Sequence, residues 1–284
     1  MKIAACTLCC SLVAVAAVAQ QPRVVNARLM AAAADPDLSR AIAAIAGRQT
    51  EPAWLGYAVP IVHRETAGRG DGWSERCRLE QDTPDNAATR GVEPAGPIRL
   101  EPSPTLMVLM RIQDREVQRV RMVSSDCVID AGGLALHWLD SVSAAQSVAF
   151  LKSYAARTIV RGQADGALTA LSLHQDPSAG AALLDLARNS TDTRVRQRAL
   201  FWVARRAESQ AIPAITEAID RDPDAEVKRQ AVFALSQLPR DQGVPLLITL
   251  ARSSNNPSVR KQAMFWLGQS NDPRALKFFE EILR

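Results

Sequence analysis

The order of apolar and polar positions divides the chain into two textures. In the C-terminal part the apolar residues recur with a period of 32: Val195, Val227 and Val259, then Ala199, Ala231 and Ala263, then Phe201, Phe233 and Phe265, then Val203, Leu235 and Leu267. The register continues through Ile212, Val244 and Leu276, through Ile215, Leu247 and Phe279, and through Ala218, Leu250 and Ile282. One period earlier, Ala167, Leu171, Leu183 and Leu186 supply a fourth, weaker copy. Within a unit, Val195, Ala199, Trp202 and Val203 share one arc of a 3.6-residue helix, so each unit reads as a helix pair. Asp192, Asp224 and Asn256 stand just before the arc, where a side-chain oxygen can accept from the unpaired first amides of a helix, and Pro257 suits a first turn. A lone helix pair cannot keep its apolar flank dry, so successive copies must stack. The Phe201, Phe233 and Phe265 row is then expected in the inter-repeat core, with Trp202 and Trp266 beside it. The last segment, "PRALKFFEEILR", is predicted to close the stack with Phe278, Phe279 and Ile282 inward.

The preceding residues alternate differently. "DPDLSRAIAAIAG" predicts a helix with Asp35 as cap, Pro36 in the first turn and Gly47 past its end. "AWLGYAVPIV", "ERCRLEQ", "IRLE", "TLMVLMRIQ", "VQRVRMVS" and "LALHWL" are short runs rich in aliphatic and aromatic residues, the signature of strands. Leu106, Val108, Met110 and Ile112 line one face, and "QDR" between two runs suggests a hairpin. Gly132-Gly133 marks a tight turn between strands. Ser143 and Gln146 form a capping box that opens a further helix. The predicted class is α+β, a small mainly β domain followed by an all-α solenoid. The boundaries are 1–19 for a leader, 20–48 for an N-terminal helical segment, 49–142 for the β domain, 143–163 for a connecting helix and 164–284 for the repeats.

The leader follows from Lys2, an uncharged apolar run to Val18, and Ala17-Val18-Ala19 before Gln20, the pattern of a cleavable secretory signal peptide. Beyond it no run reaches the roughly 18 apolar residues that span a bilayer. A secreted or periplasmic location is therefore expected, with no membrane span once the signal is removed. Cys6, Cys9 and Cys10 leave with the signal, and an exported chain retaining only Cys77 and Cys127 is expected to pair them. Closing that loop of about 50 residues would contribute roughly 4 kcal/mol in the chain-entropy model. A net charge of +4 over 284 residues, with acids interspersed, lacks the concentrated basic footprint that phosphate backbones require, so nucleic acid is not an expected partner.

The phrases "DTRVRQRALFWV", "DAEVKRQAVFAL" and "NPSVRKQAMFWLG" resemble the HEAT repeat, in the short form also seen in phycobilin-lyase-like HEAT repeats. The resemblance covers roughly residues 164–284, and its earliest copy departs from it, with Gln163 and Ala164 in place of Val and Arg. It implies that Arg196, Lys228 and Arg260 reach the acidic or amide residues of adjacent turns as an internal ladder. It also implies that the second helices line a concave side. Exposed positions there would be Arg194, Gln197, Arg198, Glu226, Arg229, Gln230, Ser258, Lys261 and Gln262, either a solvated face or a mildly basic docking surface for a protein. Trp54-Leu-Gly-Tyr57 and Asp126 to Gly133 are similar to stretches of exported bacterial proteins with C-terminal HEAT repeats, a grouping that brings no chemical role.

His63, His137 and His174 lack the paired spacing of a metal site, and no nucleophile elbow or phosphate-binding glycine frame is present. Neither catalytic residues nor a metal or cofactor are assigned. The expectation is an exported, non-enzymatic scaffold that binds a protein partner through the repeats. The alternative is a lyase-like or hydrolytic enzyme with its site in the β domain or at the junction with the repeats.

Overall fold

A computed structural model describes residues 21–33, 35–61, 78–80, 105–157, 162–206 and 209–283. The leader, Cys77, His63 and the strand reading at "IRLE" lie outside them. Strands β1 (Arg23–Val25) and β2 (Arg28–Ala33) precede helix α1 (Leu38–Gly47), so segment 20–48 is not purely helical. There follow β3 (Ala53–Pro60), β4 (Thr105–Gln113), β5 (Glu116–Ser124), β6 (Val128–Asp130) and β7 (Ala135–Asp140). The main sheet has the order β2-β7-β3-β4-β5, with β2, β7 and β3 parallel and the rest antiparallel, while β1 pairs with β6 in a separate ribbon.

Strand β4 shows how the middle of the sheet is buried on both faces, whereas edge strand β2 leaves Leu29 and Met30 exposed. Leu106, Val108, Met110 and Ile112 join the core beneath the helices, and Met107 and Leu109 join a second core with Trp54, Leu79, Val123, Ile129, Leu136 and Trp138. Gly56 lies where the second core is tightest, since a Cβ there would stand 2.6 Å from Leu109 Cδ2 and 3.0 Å from the Trp138 ring. The predicted hairpin is β4–β5, and Asp114 and Arg115 both have positive φ, the geometry of a type I′ turn matched to strand twist. Gly132 and Gly133 turn with φ of 65° and 85° and send the chain from the ribbon into the main sheet. Helix α1 is capped by Asp37, whose side chain accepts from Arg40 N; Asp35, the expected cap, instead folds back onto Asp37 N and pairs with Arg40. The helix also begins after Pro36, and Gly47 is its last residue rather than its stop.

Helix α2 (Ala144–Arg157) opens on the Ser143–Gln146 capping box, with Ser143 N donating to Gln146 Oε1 and Gln146 N donating to Ser143 Oγ. The array continues with α3 (Gln163–Leu173), α4 (Ser178–Asn189), α5 (Thr193–Arg206), α6 (Ala211–Arg221), α7 (Ala225–Ser236), α8 (Arg240–Ser253), α9 (Pro257–Gln269) and α10 (Pro273–Ile282). Each helix touches its chain neighbour, and rows form two apart: α3, α5, α7 and α9 touch in turn in one, while in the other α2, α4 and α6 touch in turn, as do α8 and α10. Helix α2 is therefore more than a connector, since it packs on α3 and α4 as α4 packs on α5 and α6. The unit boundaries carry the predicted caps, with Asp192, Asp224 and Asn256 each accepting from the second and third amides after them.

The β domain sits on the start of this array. Helix α3 lies against β5 so closely that a Cβ on Gly166 would stand 2.1 Å from the Val120 carbonyl oxygen. Ile61 bridges to His174, and Gln175 N reaches Pro60 O. One apolar core runs without interruption from the helix-side face of the sheet to α10. At that far end, Phe278 is buried as expected, but Phe279 is only half-buried and Ile282 is exposed. The last turn stays helical, with Leu283 N donating to Phe279 O, but Ile282 points to solvent, so its inward reading is corrected.

Candidate functional site

The row of second helices presents the array's accessible side chains at intervals of one repeat. Val195, Val227 and Val259 and the alanines four residues on are buried, and of the residues between them the second and third of each helix are at least partly exposed, whereas Arg196, the first on α5, turns inward. Gln197, Glu226, Arg229, Gln230 and Gln262 line one open groove together with Phe233 and Trp266, with a volume of about 330 Å³. The other four candidates lie outside its lining, and all four are exposed: Arg194 and Arg198 on α5, Ser258 and Lys261 on α9.

Electrostatics gives this face a basic lean. Arg229 pairs with Glu226 one turn away, and Arg198 stands 3.8 Å from Asp165 of α3 while its guanidinium lies 5.2 Å over the Phe201 ring and 5.5 Å over Trp202. Such exposed pairs contribute little to stability and exchange readily for a partner's charges. Arg194, Arg198, Arg229 and Lys261 outweigh Glu226 and Asp165.

The aromatic floor departs from the expected phenylalanine ladder. Phe201 and Phe233 stack with centroids 6.0 Å apart and planes 7° apart, but the next ring is Trp266, 4.7 Å from Phe233. Phe265 instead packs edge-on against Trp266 and is more than half exposed. Trp202 is core, whereas Trp266 is half-buried and forms part of the groove. Repeat arithmetic alone could not separate 265 from 266, because both fall at the edge of the buried arc.

The expected internal ladder is reduced to one rung, at Arg196; Lys228 and Arg260 reach backbone carbonyls instead of an acidic or amide side chain. Arg196 is buried and donates through Nε and Nη2 to both Asp222 oxygens at 2.9 and 3.1 Å, and through Nη1 to Ser190 O. Asp222 in turn accepts from Asp224 N at the head of the next helix. One period later the acid is Ser254, so Lys228 turns back to Asp220 O, and Arg260 likewise donates to Ser254 O.

A second polar cluster lies at the junction of sheet and array, and sequence spacing gave no sign of it. Tyr57 of β3, Ser147 of α2 and His174 after α3 are each fully buried and joined in a chain, with Tyr57 Oη 2.8 Å from Ser147 Oγ and Ser147 Oγ 2.8 Å from His174 Nε2. His174 Nδ1 is 2.7 Å from Ala170 O, and a carbonyl can only accept. The Nδ1 therefore carries the proton, Nε2 accepts from the Ser147 hydroxyl, and Ser147 accepts from Tyr57. Burial lowers the pKa of His174, assisted by Arg206, whose Nη1 donates to His174 O; the Ala170 carbonyl and Asp176 act the other way. Burial likewise raises Tyr57 above its ordinary value despite the bond to Ser147. A serine hydroxyl donating to an imidazole has the residue types of a hydrolytic pair, but each member is sealed from solvent, so the arrangement cements the junction. His137 of β7 is also buried, and desolvation lowers its pKa. No group of three or more His, Cys, Asp or Glu among the described residues could hold a metal ion.

Stacked helix pairs with side chains offered along one row define a helical-repeat array. The particular repeat is the HEAT repeat: two overlapping stretches, residues 180–244 and 212–284, match the family model of HEAT repeats, which covers α4 through α10. No curated protein matches the sequence.

Proposed function

We propose that the chain is an exported, non-catalytic scaffold whose groove along α5, α7 and α9 receives an extended, acidic-leaning segment of a protein partner. The observation that carries this reading is the convergence in one open groove of amide side chains, Gln197, Gln230 and Gln262, with the Phe233 and Trp266 rings. Amides both donate and accept, so they suit a peptide backbone, and rigid aromatic rings anchor a side chain at low entropic cost. The surplus of arginine and lysine around the groove favours an acidic segment and speeds encounter. HEAT repeats are a helical-repeat protein-interaction module, which supports a binding role over a catalytic one. Export is supported by the apolar leader and its Ala17-Val18-Ala19 end. No helix among the described residues is long and apolar enough to cross a membrane.

A Cys77–Cys127 bridge belongs to the same reading. Support comes from Arg78, next to Cys77, which bridges to Asp130, and from Leu79 N, which donates to Asp130 O at 2.8 Å, so the chain beside Cys77 runs along the strand that follows Cys127. Alkylation of the folded, unreduced protein is expected to spare both thiols, and modification of both excludes the bridge.

Affinity capture from the source organism, compared between the wild type and Arg198→Glu/Lys261→Glu, tests the binding face. The double reversal is expected to remove the captured partner while leaving the circular dichroism unchanged. An identical set of captured proteins refutes the basic surround of the groove as the feature that draws an acidic-leaning partner, and with it this reading.

A further inference from the structure

Helical phase extends the groove into a longer furrow between α7 and α9. At about 100° per residue, Glu226, Arg229, Gln230 and Phe233 of α7 share one arc, which Ser236 and Gln237 continue to the end of that helix. On α9, Gln262 and Trp266 share an arc that Gln269 and Ser270 continue. The groove takes the first half of each arc. The second half borders another opening of about 210 Å³, with the buried Leu235, Leu238, Val244 and Leu247 at its bottom. Trp266 stands between the two and lines both. That bottom is held in place, since α8 lies so close to the end of α7 that a Cβ on Gly243 would stand 2.3 Å from the Leu235 carbonyl oxygen. Helices α7, α8 and α9 each pack against helices before and after them in the chain, so the opening belongs to the interior of the array.

We infer, taking the groove as the binding face, that the opening beyond Trp266 is the anchor pocket for the same partner segment and takes one large apolar side chain from it. The lining selects this occupant, because its character changes along the furrow. Near the helix starts Arg198, Arg229 and Lys261 favour an acid, whereas at the helix ends the bottom is apolar and Arg240 at the rim sits beside Asp241. Size agrees: a cavity of about 150 Å³ admits a benzene ring, so the pocket holds one leucine or phenylalanine side chain and excludes a helix. Spacing follows from the linings. On α9 the groove is lined within 262–266 and the pocket within 266–270, midpoints four residues apart; on α7 and just after it the stretches are 226–233 and 235–238, midpoints seven apart. At 1.5 Å per residue these are about 6 and 10 Å along the helices. Extended chain covers that distance in two or three residues at about 3.3 Å each. The partner's motif is an aspartate or glutamate with a large apolar residue two or three positions away.

Selection of a random-peptide display library on the purified full chain tests this motif, and the selected peptides are expected to carry it in either order. Gln269 is exposed at the pocket's rim, so Gln269→Trp should fill the pocket with no change in circular dichroism. It should weaken a selected peptide at least about tenfold, the factor that burial of one such side chain supplies. Gln269→Ala leaves the rim open and should bind as the wild type does. Arg198→Glu/Lys261→Glu should weaken the same peptide through its acid. Acidic peptides with no fixed apolar residue, or peptides whose affinity survives Gln269→Trp, overturn the anchor pocket and leave the groove standing. Peptides sensitive to Gln269→Trp but indifferent to the charge reversal show a pocket that acts alone, which overturns its link to the groove. A library that yields no binder overturns pocket and groove together.

Discussion

Acidification tests the buried junction. His174 must remain neutral, since its Nε2 accepts from Ser147 and its Nδ1 donates to Ala170 O. Its pKa is lowered in the folded protein, chiefly by burial. An unfolded histidine takes up its proton at about 6.5. Between that value and the lowered folded one, the unfolded state binds one more proton than the native state, so stability rises with pH there. The contribution is complete above about pH 6.5 and drains away at about 1.4 kcal/mol per pH unit as the pH falls below it. Facing the ring are Tyr57 from the sheet, Ser147 from α2, Arg206 from α5 and Asp176 from the α3–α4 turn; of these only Asp176 titrates in acid, and its pKa is lowered by its bonds to Ser178. His137, also lowered by burial, adds a loss of the same sign. Lowering the pH from 6.5 towards the lowered folded pKa should therefore reduce the melting temperature through His174, by about 2–4 °C for each kcal/mol lost. Thermal unfolding of the wild type and His174→Gln at several pH values isolates the effect, because the variant removes this titration and should flatten the slope. Equal slopes in the two proteins, or a wild type whose stability does not change between pH 7 and 5, would refute the neutral-imidazole chain.

Two substitutions probe the packing. Gly166→Ala forces a methyl into the Val120 carbonyl 2.1 Å away, and the overpacking cost of about 1–3 kcal/mol should exceed the roughly 1 kcal/mol gained in helix propensity, lowering the melting temperature. A more stable variant would mean that α3 and β5 are not pressed together. Arg196→Met strands the buried Asp222 carboxylate and should cost about 3–5 kcal/mol in urea unfolding, and Arg196→Lys should recover only part because it cannot make the two-pronged contact. Full recovery with lysine would contradict the bidentate rung.

The repeats were legible because a solenoid writes its packing locally. Each buried Val195 or Ala231 answers to a neighbour 32 residues away, and each cap sits at a fixed offset from it. The sheet was only partly legible. Strand β4 declares itself through alternation, but β2 reads "RLMAAA", a sequence without strand propensity that is extended because β7 pairs along its full length. Asp37 displaced Asp35 as the cap through local geometry that a run with two aspartates leaves open. Groove residues such as Gln197 and Gln230 could be placed on an outward face from helical phase, yet their union with Trp266 depends on how far successive helices rotate. The Tyr57–Ser147–His174 chain was invisible because its members are separated by 90 and 27 residues and meet only when the sheet docks on the array.

The central claim is that the row of second helices binds a protein. Its most direct test is site-specific photo-crosslinking in the source organism, with the photoreactive side chain at Gln230 in the groove or at Thr249 on the exposed face of α8. The account predicts a discrete protein adduct from position 230 and none from position 249. Adducts of equal yield from both, or from 249 alone, would contradict it.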